Sequence, residues 1–560
     1  MARTRKLQSA RLLGGPLHYY DTLMLCASTS YTMTPNARLS QLASQLSPTP
    51  TAKTMPSPNG LHNSAEGTSQ GDDQLLFIDG SYVPAKSGST FPVKNPMTGK
   101  PIYNCASAGT DDYETAIQSA QSAFEAWSQT SPSQRRMVML KAADIMESYF
   151  SKDAPQILSE EVSAVKSWVK VNVFATAGIF RETAGLVTHI KGEVVPADRP
   201  GTTIMVLREA VGVVFAISPW NAPVNLTARA IACPLVCGNT VILKPSEFSP
   251  KSQHLVVRAL TEAGLPSGCL NFLPSSPADA PAVTEYAVKH SLVRRVNFTG
   301  SDRVGKIIAG WAATCLKQCV LELGGKAPVV VLDDADVKDA AEGIVFGGLS
   351  NSGQICMSSE RVIVQESRRD ALTDELLERI ANIKCGNHLV NPDVAMSGLF
   401  TAESAARVVE MMRKAVSQGA KLLAGDLKTS GPNSTIISPH LLGDVTPAMD
   451  IYHEESFGPV ITISAASSER DAIDLANASE YSLCASIYSK DALRAMRIAK
   501  KIRAGSCHIN GPTVYIEATL PNGGTGGRSG YGRFGGIAGV EEFTERKIVT
   551  LVEPGLTYPF

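Results

Sequence analysis

From Leu75 onward the chain alternates between two hydrophobic rhythms. The stretch 75–102 has short apolar runs broken by turn residues such as Asp79-Gly80, and predicts short strands. Residues 111–189 carry a helical period, with Ala116, Ala120, Phe124 and Trp127 on one face. Pro132 behind Ser131 predicts a second helix start. From 211 the rhythm becomes strand, helix, strand. VGVVFAIS (211–218), TVILKP (240–245), LNFLP (270–274) and RRVNFTG (294–300) read as strands, with helices over 224–236 and from Ser249-Pro250 to Gly264. Such β-α-β repetition predicts an α/β fold whose mostly parallel sheet has helices on both faces and binds ligands beyond the carboxyl ends of its strands. A second α/β region spans about 324–510, with strands at 328–332 and 361–365 and an amphipathic helix over 403–419. Two extended arms around Asp198-Arg199-Pro200-Gly201 predict a hairpin, and RKIVTLVEP (546–554) a last strand. The hairpin reads either as an arm for another subunit or as an ordinary surface hairpin.

Composition narrows the class. At 560 residues the chain exceeds one hydrophobic core. Hydrophobic residues at 44% and charged residues at 19% fit a globular protein, and a net charge of −1 argues against nucleic-acid or membrane-surface partners. No apolar run reaches the roughly 18 residues of a membrane span. The 11 cysteines are odd in number and thinly spread, which points away from a disulfide framework and toward a reducing compartment such as the cytoplasm. Cys233 with Cys237, and Cys315 with Cys319, sit four apart in predicted helices; they read as packing rather than metal ligands, and no metal is expected. Residues 1–74, rich in Ser, Thr, Pro, Asn and Gln, are expected to form a disordered extension. Its start carries Arg3, Arg5, Lys6 and Arg11 with no acid before Asp21, resembling a mitochondrial presequence; a non-targeting tail is the alternative.

Several short strings hold candidate chemistry. GQICMSSERV offers Cys356 as a nucleophile, and LELGGKAP offers Glu322 beside a Gly-Gly turn as a base. In SPWNAP, Asn221 follows a buried strand, where its amide could donate to an oxyanion. ILKPSE places Lys244 and Glu247 where they could straddle a ribose diol, and FTGSDRVG places Gly300 and Gly305 around a helix start suited to a pyrophosphate. Taken singly, each has a plainer reading: a packed cysteine, a solvated carboxylate, a turn-making asparagine, a glycine pattern without the dinucleotide form.

Together and in this order, SPWNAP, ILKPSE, FTGSDRVG, LELGGKAP, GQICMSS and EESFGPV resemble the aldehyde dehydrogenase superfamily over about 75–560. The resemblance implies Cys356 as nucleophile, Glu322 as general base, and Asn221 with the Cys356 N–H as oxyanion donors. For NAD, with NADP as the alternative, it implies Lys244 and Glu247 at the adenosine ribose and Gly300, Ser301 and Gly305 at the phosphates. It also implies Glu455 at the nicotinamide ribose with Phe457 packed beside it, and Ile217, Ser218, Trp220, Ser246 and Leu323 lining the site. The implied domains are NAD-binding (75–190 and 211–323), catalytic (324–539) and an oligomerisation arm (191–210 and 540–560) of a homodimer or homotetramer. The implied reaction is oxidation of a small-molecule aldehyde to an acid through a thioester.

Within that superfamily the chain is similar to salicylaldehyde and vanillin dehydrogenases, on SPWNAPVNLTARAIACPL, GQICMSSERV, SGYGRFGG and the terminal YPF. Arg229, eight residues or about two turns beyond Asn221, is expected to face the substrate tunnel, where it would suit a phenol oxygen or carboxylate; a structural ion pair is its alternative. Trp168 reads as a stacking aromatic or ordinary core. PNGGTGGRSG (521–530) departs from the familiar PFGGxKxSG: Asn522 replaces an aromatic and one residue is inserted, so a more polar, more flexible loop is expected, with Tyr515 as a substitute aromatic wall. An aromatic or polar-substituted aldehyde is thus expected. The competing readings are a semialdehyde or aminoaldehyde dehydrogenase, an esterase, and a catalytically silent protein on the same fold.

Overall fold

The computed structural model describes residues 73–555, 557 and 558. The presequence-like start and nearly all of the expected disordered extension lie outside the described residues. Gln74 is already buried and bridged to Cys105, so ordered pairing begins slightly earlier than the composition suggests.

The strands Val213–Ile217 and Thr240–Lys244 are buried along their whole length, as continuous apolar runs must be when helices cover both faces. They lie central in an eight-stranded sheet. From one edge to the other it runs Gly530–Tyr531, Gln318–Glu322, Val293–Thr299, Val213–Ile217, Thr240–Lys244, Leu270–Phe272, Leu76–Ile78 and Ser81–Val83. The inner strands from Gln318 to Phe272 pair in parallel, and antiparallel strands finish both edges. The chain winds outward in one direction through Thr240–Lys244 and Leu270–Phe272, then returns to the other side of Val213–Ile217 with Val293–Thr299. That reversal opens a crevice at the carboxyl ends of the two neighbours.

A second sheet of seven strands runs Lys421–Ala424, His440–Gly443, Val460–Ala466, Ser359–Gln365, Ala327–Val331, Cys484–Tyr488 and Ser506–Ile509. Only its first pairing is antiparallel. The predicted hairpin is present as Glu193–Val195 with Thr202–Ala210, and Thr544–Val552 pairs antiparallel along the whole second arm. Val194, Ile548 and Leu551 are exposed on this three-stranded sheet.

Local signals set several boundaries. Ser131 caps the helix Pro132–Ser148: its hydroxyl accepts from Gln134 N at 3.3 Å while Gln134 Oε1 accepts from Ser131 N at 2.9 Å, satisfying two donors that the first turn leaves free. One expectation fails. Cys315 and Cys319 do not share a helix: Asp302–Thr314 ends at Cys315, Leu316 turns into the left-handed region, and Cys319 lies in strand Gln318–Glu322. Among the described residues the cysteines are free thiols, no acid, histidine and cysteine cluster is placed to hold a metal, and no helix is long and apolar enough to cross a membrane.

Asn239, fully buried, ties three segments together. Its Oδ1 accepts from Val211 N at 2.7 Å and Gly212 N at 3.0 Å, and its Nδ2 donates to Pro234 O at 3.0 Å and Phe543 O at 2.8 Å. Asn239→Leu, of similar volume, strands the Val211 and Gly212 N–H groups and the Phe543 carbonyl, while Pro234 O keeps its bond from the Asn239 backbone N at 3.0 Å, and is expected to cost about 3 kcal/mol. A urea midpoint unchanged from the parent enzyme would count against this role.

Candidate active site

The site assembles where the crevice of the first sheet meets loops from the second. Strand Val213–Ile217 runs into Ser218–Ala222, and Pro223 then opens the helix Pro223–Val236. Strand Gln318–Glu322 ends on Glu322 itself, and Leu323-Gly324-Gly325 turns the chain into Ala327–Val331. Cys356 follows Asn351, Ser352 and Gly353, three successive residues with φ of 49°, 56° and 73°. Such a run costs backbone energy and persists only where surrounding contacts fix it. Here they do. A Cβ on Gly353 would stand 2.1 Å from Gly458 O, and one on Gly325 would stand 1.9 Å from Cys356 O. Glycine is the residue that lets these three loops touch main chain to main chain.

This packing brings Cys356 Sγ to 3.4 Å from Glu322 Oε1. Glu322 is 1% exposed. Its Oε2 accepts from Asn522 Nδ2 at 3.0 Å and lies 2.5 Å from Arg229 Nη2. The guanidinium contact is Coulombic rather than a well-aligned hydrogen bond, since Arg229 Nε and Nη2 are both buried without a hydrogen-bond partner among the described residues. Burial pushes the Cys356 thiol well above its ordinary value; the Glu322 carboxylate adds to this and Arg229 opposes it. The resting sulfur is therefore protonated at neutral pH, and Glu322 is the carboxylate within its reach.

Asn221 is buried beside them. Its Nδ2 donates to Gln354 O at 3.0 Å, and its own carbonyl accepts from Trp168 Nε1 at 2.9 Å and Asn351 Nδ2 at 3.1 Å. An amide has two donor hydrogens, so one bond to Gln354 fixes its plane and leaves the second to serve a ligand. Gln354 and Asn351 were not singled out from sequence, although both stand within five residues of Cys356.

A cleft of about 940 Å³ joins Asn221 and Cys356 to Trp220, Gly300, Ser301, Leu323, Glu455 and Phe457. Ser301 caps the helix Asp302–Thr314, whose amino end faces this cleft. Trp220 stacks on Phe400 at 3.9 Å between ring centroids and meets Phe457 edge-on at 5.7 Å. Glu455 Oε1 accepts from Gly325 N at 2.9 Å. Burial and repulsion from Glu360 raise the Glu455 carboxyl to about 8. Arg528 crosses the cleft mouth, pairing with Asp302 at 2.7 Å and Glu454 at 3.2 Å. Arg528 N also donates to Glu480 O at 3.0 Å, so the loop 521–530 is anchored at this residue by backbone and side chain together.

Six of the candidate cofactor residues lie outside that lining, as do Glu322, Arg229, Trp168 and Tyr515. Ile217 and Ser218 are buried, with Ser218 Oγ bonded to Gln253 Nε2 at 2.6 Å and Thr227 Oγ1 at 2.9 Å. Gly305 is a packing position: a Cβ there would stand 2.4 Å from Leu323 Cδ2, so its small size seats the helix against the strand end. Lys244, Ser246 and Glu247 occupy the carboxyl end of the adjoining strand, in register with Ile217. Lys244 is buried, and its ammonium reaches only the Pro245 carbonyl, at 3.5 Å, among the described residues. Burial lowers its pKa while Glu247 opposes the shift. A buried cation so poorly paired fits a site that a ligand's hydroxyls complete.

A second, mainly apolar pocket of about 240 Å³ lies between the helices Lys166–Gly185 and Pro223–Val236 and the loop 516–536. Ile179, Leu186, Ile516 and Phe534 line it together with Arg229 and Asn522. Trp168 instead packs, as Cys356 does, against the buried cluster of Ala327, Ile355, Met357, Leu483 and Cys484. Tyr515 is not a wall of either cavity. Its ring is half exposed, and its hydroxyl bonds to Glu517, so the polar tip draws it outward while Ile516 lines the pocket.

The sequence profile of the Aldehyde dehydrogenase family matches residues 82–549. The chain belongs to the aldehyde dehydrogenase family. Among aldehyde dehydrogenases, it is 42% identical to a vanillin dehydrogenase of Pseudomonas fluorescens over 488 residues, 87% of this chain and 99% of the relative. A crystal structure of a salicylaldehyde dehydrogenase from Pseudomonas putida G7 complexed with salicylaldehyde superposes with a TM-score of 0.85 at 41% identity, covering 87% of this chain and all of the other. A betaine aldehyde dehydrogenase from Staphylococcus aureus in complex with NAD+ does so with a TM-score of 0.83 at 30% identity, over 87% of this chain and 97% of that one. The aldehyde dehydrogenase identity carries the expected fold class and makes the chain an oxidoreductase.

A neutral resting thiol has a direct chemical readout. In the enzyme without cofactor, the rate of Cys356 alkylation by iodoacetamide is expected to rise with pH through about 9 without levelling. A plateau reached below about pH 7.5 would show a resting thiolate instead.

Proposed function

We propose that this enzyme oxidises an aromatic aldehyde to the carboxylic acid, using NAD and a covalent intermediate on Cys356. The observation that supports it most is the meeting of thiol, carboxylate and amide at one end of a cleft wide enough for a dinucleotide. Cys356 attacks the carbonyl carbon and its proton passes to Glu322 Oε1, which stands 3.4 Å away. The alkoxide so formed is held by the Asn221 amide and the Cys356 backbone N–H; removing one such donor costs roughly 10²–10³ in rate. The tetrahedral adduct collapses with loss of hydride, leaving a thioester. Bound NAD supplies the nicotinamide that accepts the hydride. Glu322 gives up the thiol's proton to solvent and, as a carboxylate again, takes one from the water that attacks the thioester; the carbon–sulfur bond breaks, the acid departs and Cys356 is reprotonated.

For the cofactor, Lys244 and Glu247 would hold the adenosine ribose, and the Gly300-Ser301 turn at the helix amino end the phosphates. Glu455 would hold the nicotinamide ribose, with Phe457 packed beside it. Glu247 would repel a 2′-phosphate, which favours NAD over NADP.

The aldehyde's ring would occupy the apolar pocket that Arg229 helps to line, and the charge of its guanidinium suits an oxygen substituent. The relatives named for vanillin and salicylaldehyde support the same class. The exposed Val194, Ile548 and Leu551 favour pairing of the three-stranded arm with a second copy, giving a dimer or tetramer. The free thiols favour a reducing compartment such as the cytoplasm.

Cys356→Ala is expected to abolish NADH formation while NAD still binds; residual turnover would remove the covalent route. Glu322→Gln is expected to slow both the first turnover of NADH and the steady state, because the carboxylate serves the thiol and then the water, and rates equal to the parent enzyme would exclude its role as base. In a panel of benzaldehyde, salicylaldehyde, vanillin and hexanal, kcat/KM with NAD is expected to favour the aryl substrates. A preference for hexanal would overturn the aromatic assignment.

A further inference from the structure

Asn522 lies 200 residues beyond Glu322 in sequence, yet its amide donates to Glu322 Oε2 at 3.0 Å. That oxygen also faces Arg229 Nη2 at 2.5 Å, while Oε1 faces Cys356 Sγ at 3.4 Å. The carboxylate is thus divided: one oxygen is gripped and the other addresses the sulfur.

The grip is itself braced. Asn522 exchanges both backbone hydrogen bonds with Phe534, N to O at 2.8 Å and O to N at 2.9 Å, as an isolated antiparallel bridge. The ring of that same Phe534 lies 5.1 Å beneath the Arg229 guanidinium. One aromatic residue therefore fixes the backbone of the first donor and the plane of the second. Arg229 supplies charge without direction, because its Nη2 makes no aligned hydrogen bond. Asn522 supplies the direction. A glutamate at a strand end beside two glycines otherwise has several rotamers to choose from, and each wrong one turns Oε1 away from the thiol. The titratable and charged groups facing this carboxylate are Arg229 from the helix Pro223–Val236, Cys356 from its loop and Cys484 from the second sheet.

We propose that Asn522 is a positioning residue that, together with Arg229, holds Glu322 so that Oε1 points at Cys356. The proposal rests on Glu322 being the base of the aldehyde oxidation above. An asparagine at this position is then part of how this enzyme sets its base, in addition to lining the neighbouring apolar pocket.

The test uses the full-length enzyme with saturating NAD and benzaldehyde, following NADH at 340 nm through burst and steady state. Asn522→Leu keeps the volume and loses the donor; Asn522→Gln keeps an amide. Asn522→Leu is expected to lower steady-state kcat by roughly tenfold or more, with KM changed by less than about threefold. Asn522→Gln is expected to recover much of that kcat. A kcat for Asn522→Leu that matches the parent enzyme would overturn the proposal, as would a loss that falls on KM rather than kcat, or equal impairment of the leucine and glutamine variants at an unchanged melting temperature. If the leucine variant does not fold, Asn522→Ala carries the same readouts. Failure of the parent enzyme to oxidise benzaldehyde or any other aldehyde of the panel would strike the underlying reaction instead, and is seen before any variant is made.

Discussion

The architecture of the site depends on backbones touching where side chains normally keep them apart. The turn at Gly325 lies directly under the Cys356 carbonyl, and Gly353 lies against the Gly458 carbonyl. These contacts bind the end of the first sheet, the cysteine loop and the loop before Val460–Ala466 into one unit. A thiol and a carboxylate from different sheets can then be held at hydrogen-bond range without a flexible element between them. The left-handed residues Asn351, Ser352 and Phe457 are the conformational cost of that closeness.

Burial then makes every charge in the region consequential. Lys326 and Glu360 form a pair at 2.5 Å, both essentially buried, and Glu360 also accepts from Ser456 N at 3.0 Å and Ser456 Oγ at 2.6 Å. The adjacent Glu455 has no cation of its own, sits close enough to Glu360 to feel its charge, and holds its proton to about pH 8. Arg361, also buried, spends its guanidinium on the carbonyls of Lys326, Leu475 and Ala476. Ionised groups are therefore fixed structural parts here, while the neutral thiol and the raised carboxyl are the ones left able to change state.

Much of this was legible in the sequence where the signal is local. The parallel strands appear as unbroken apolar runs, Ser131 with Gln134 marks a helix start, and Cys356, Glu322 and Asn221 each sit in a short string at a strand end or turn. Side-chain direction and long-range pairing were not legible. Tyr515 and Ile516 are neighbours, and no local rule says which faces the pocket. Cys315 and Cys319 keep helical spacing, but Leu316 breaks the helix between them. Arg229 pairs with Glu322 and also lines a pocket, and its spacing along the helix says neither. Asn522 was visible only as a departure from a familiar string; its contact with Glu322 depends on the whole fold bringing positions 200 apart together.

Arg528 has a consequence for ligand traffic. Its guanidinium spans from Asp302, on a helix of the first sheet, to Glu454, on a loop of the second, with its face over the Tyr481 ring at 4.6 Å. It works as a cross-brace over the entrance, so anything that prises the two halves apart must exchange those charges for water. Because the brace lies nearer the solvent than the Glu322 cluster, dissolved ions weaken it first. Entry and exit thus become sensitive to ionic strength while the reacting groups behind them stay shielded.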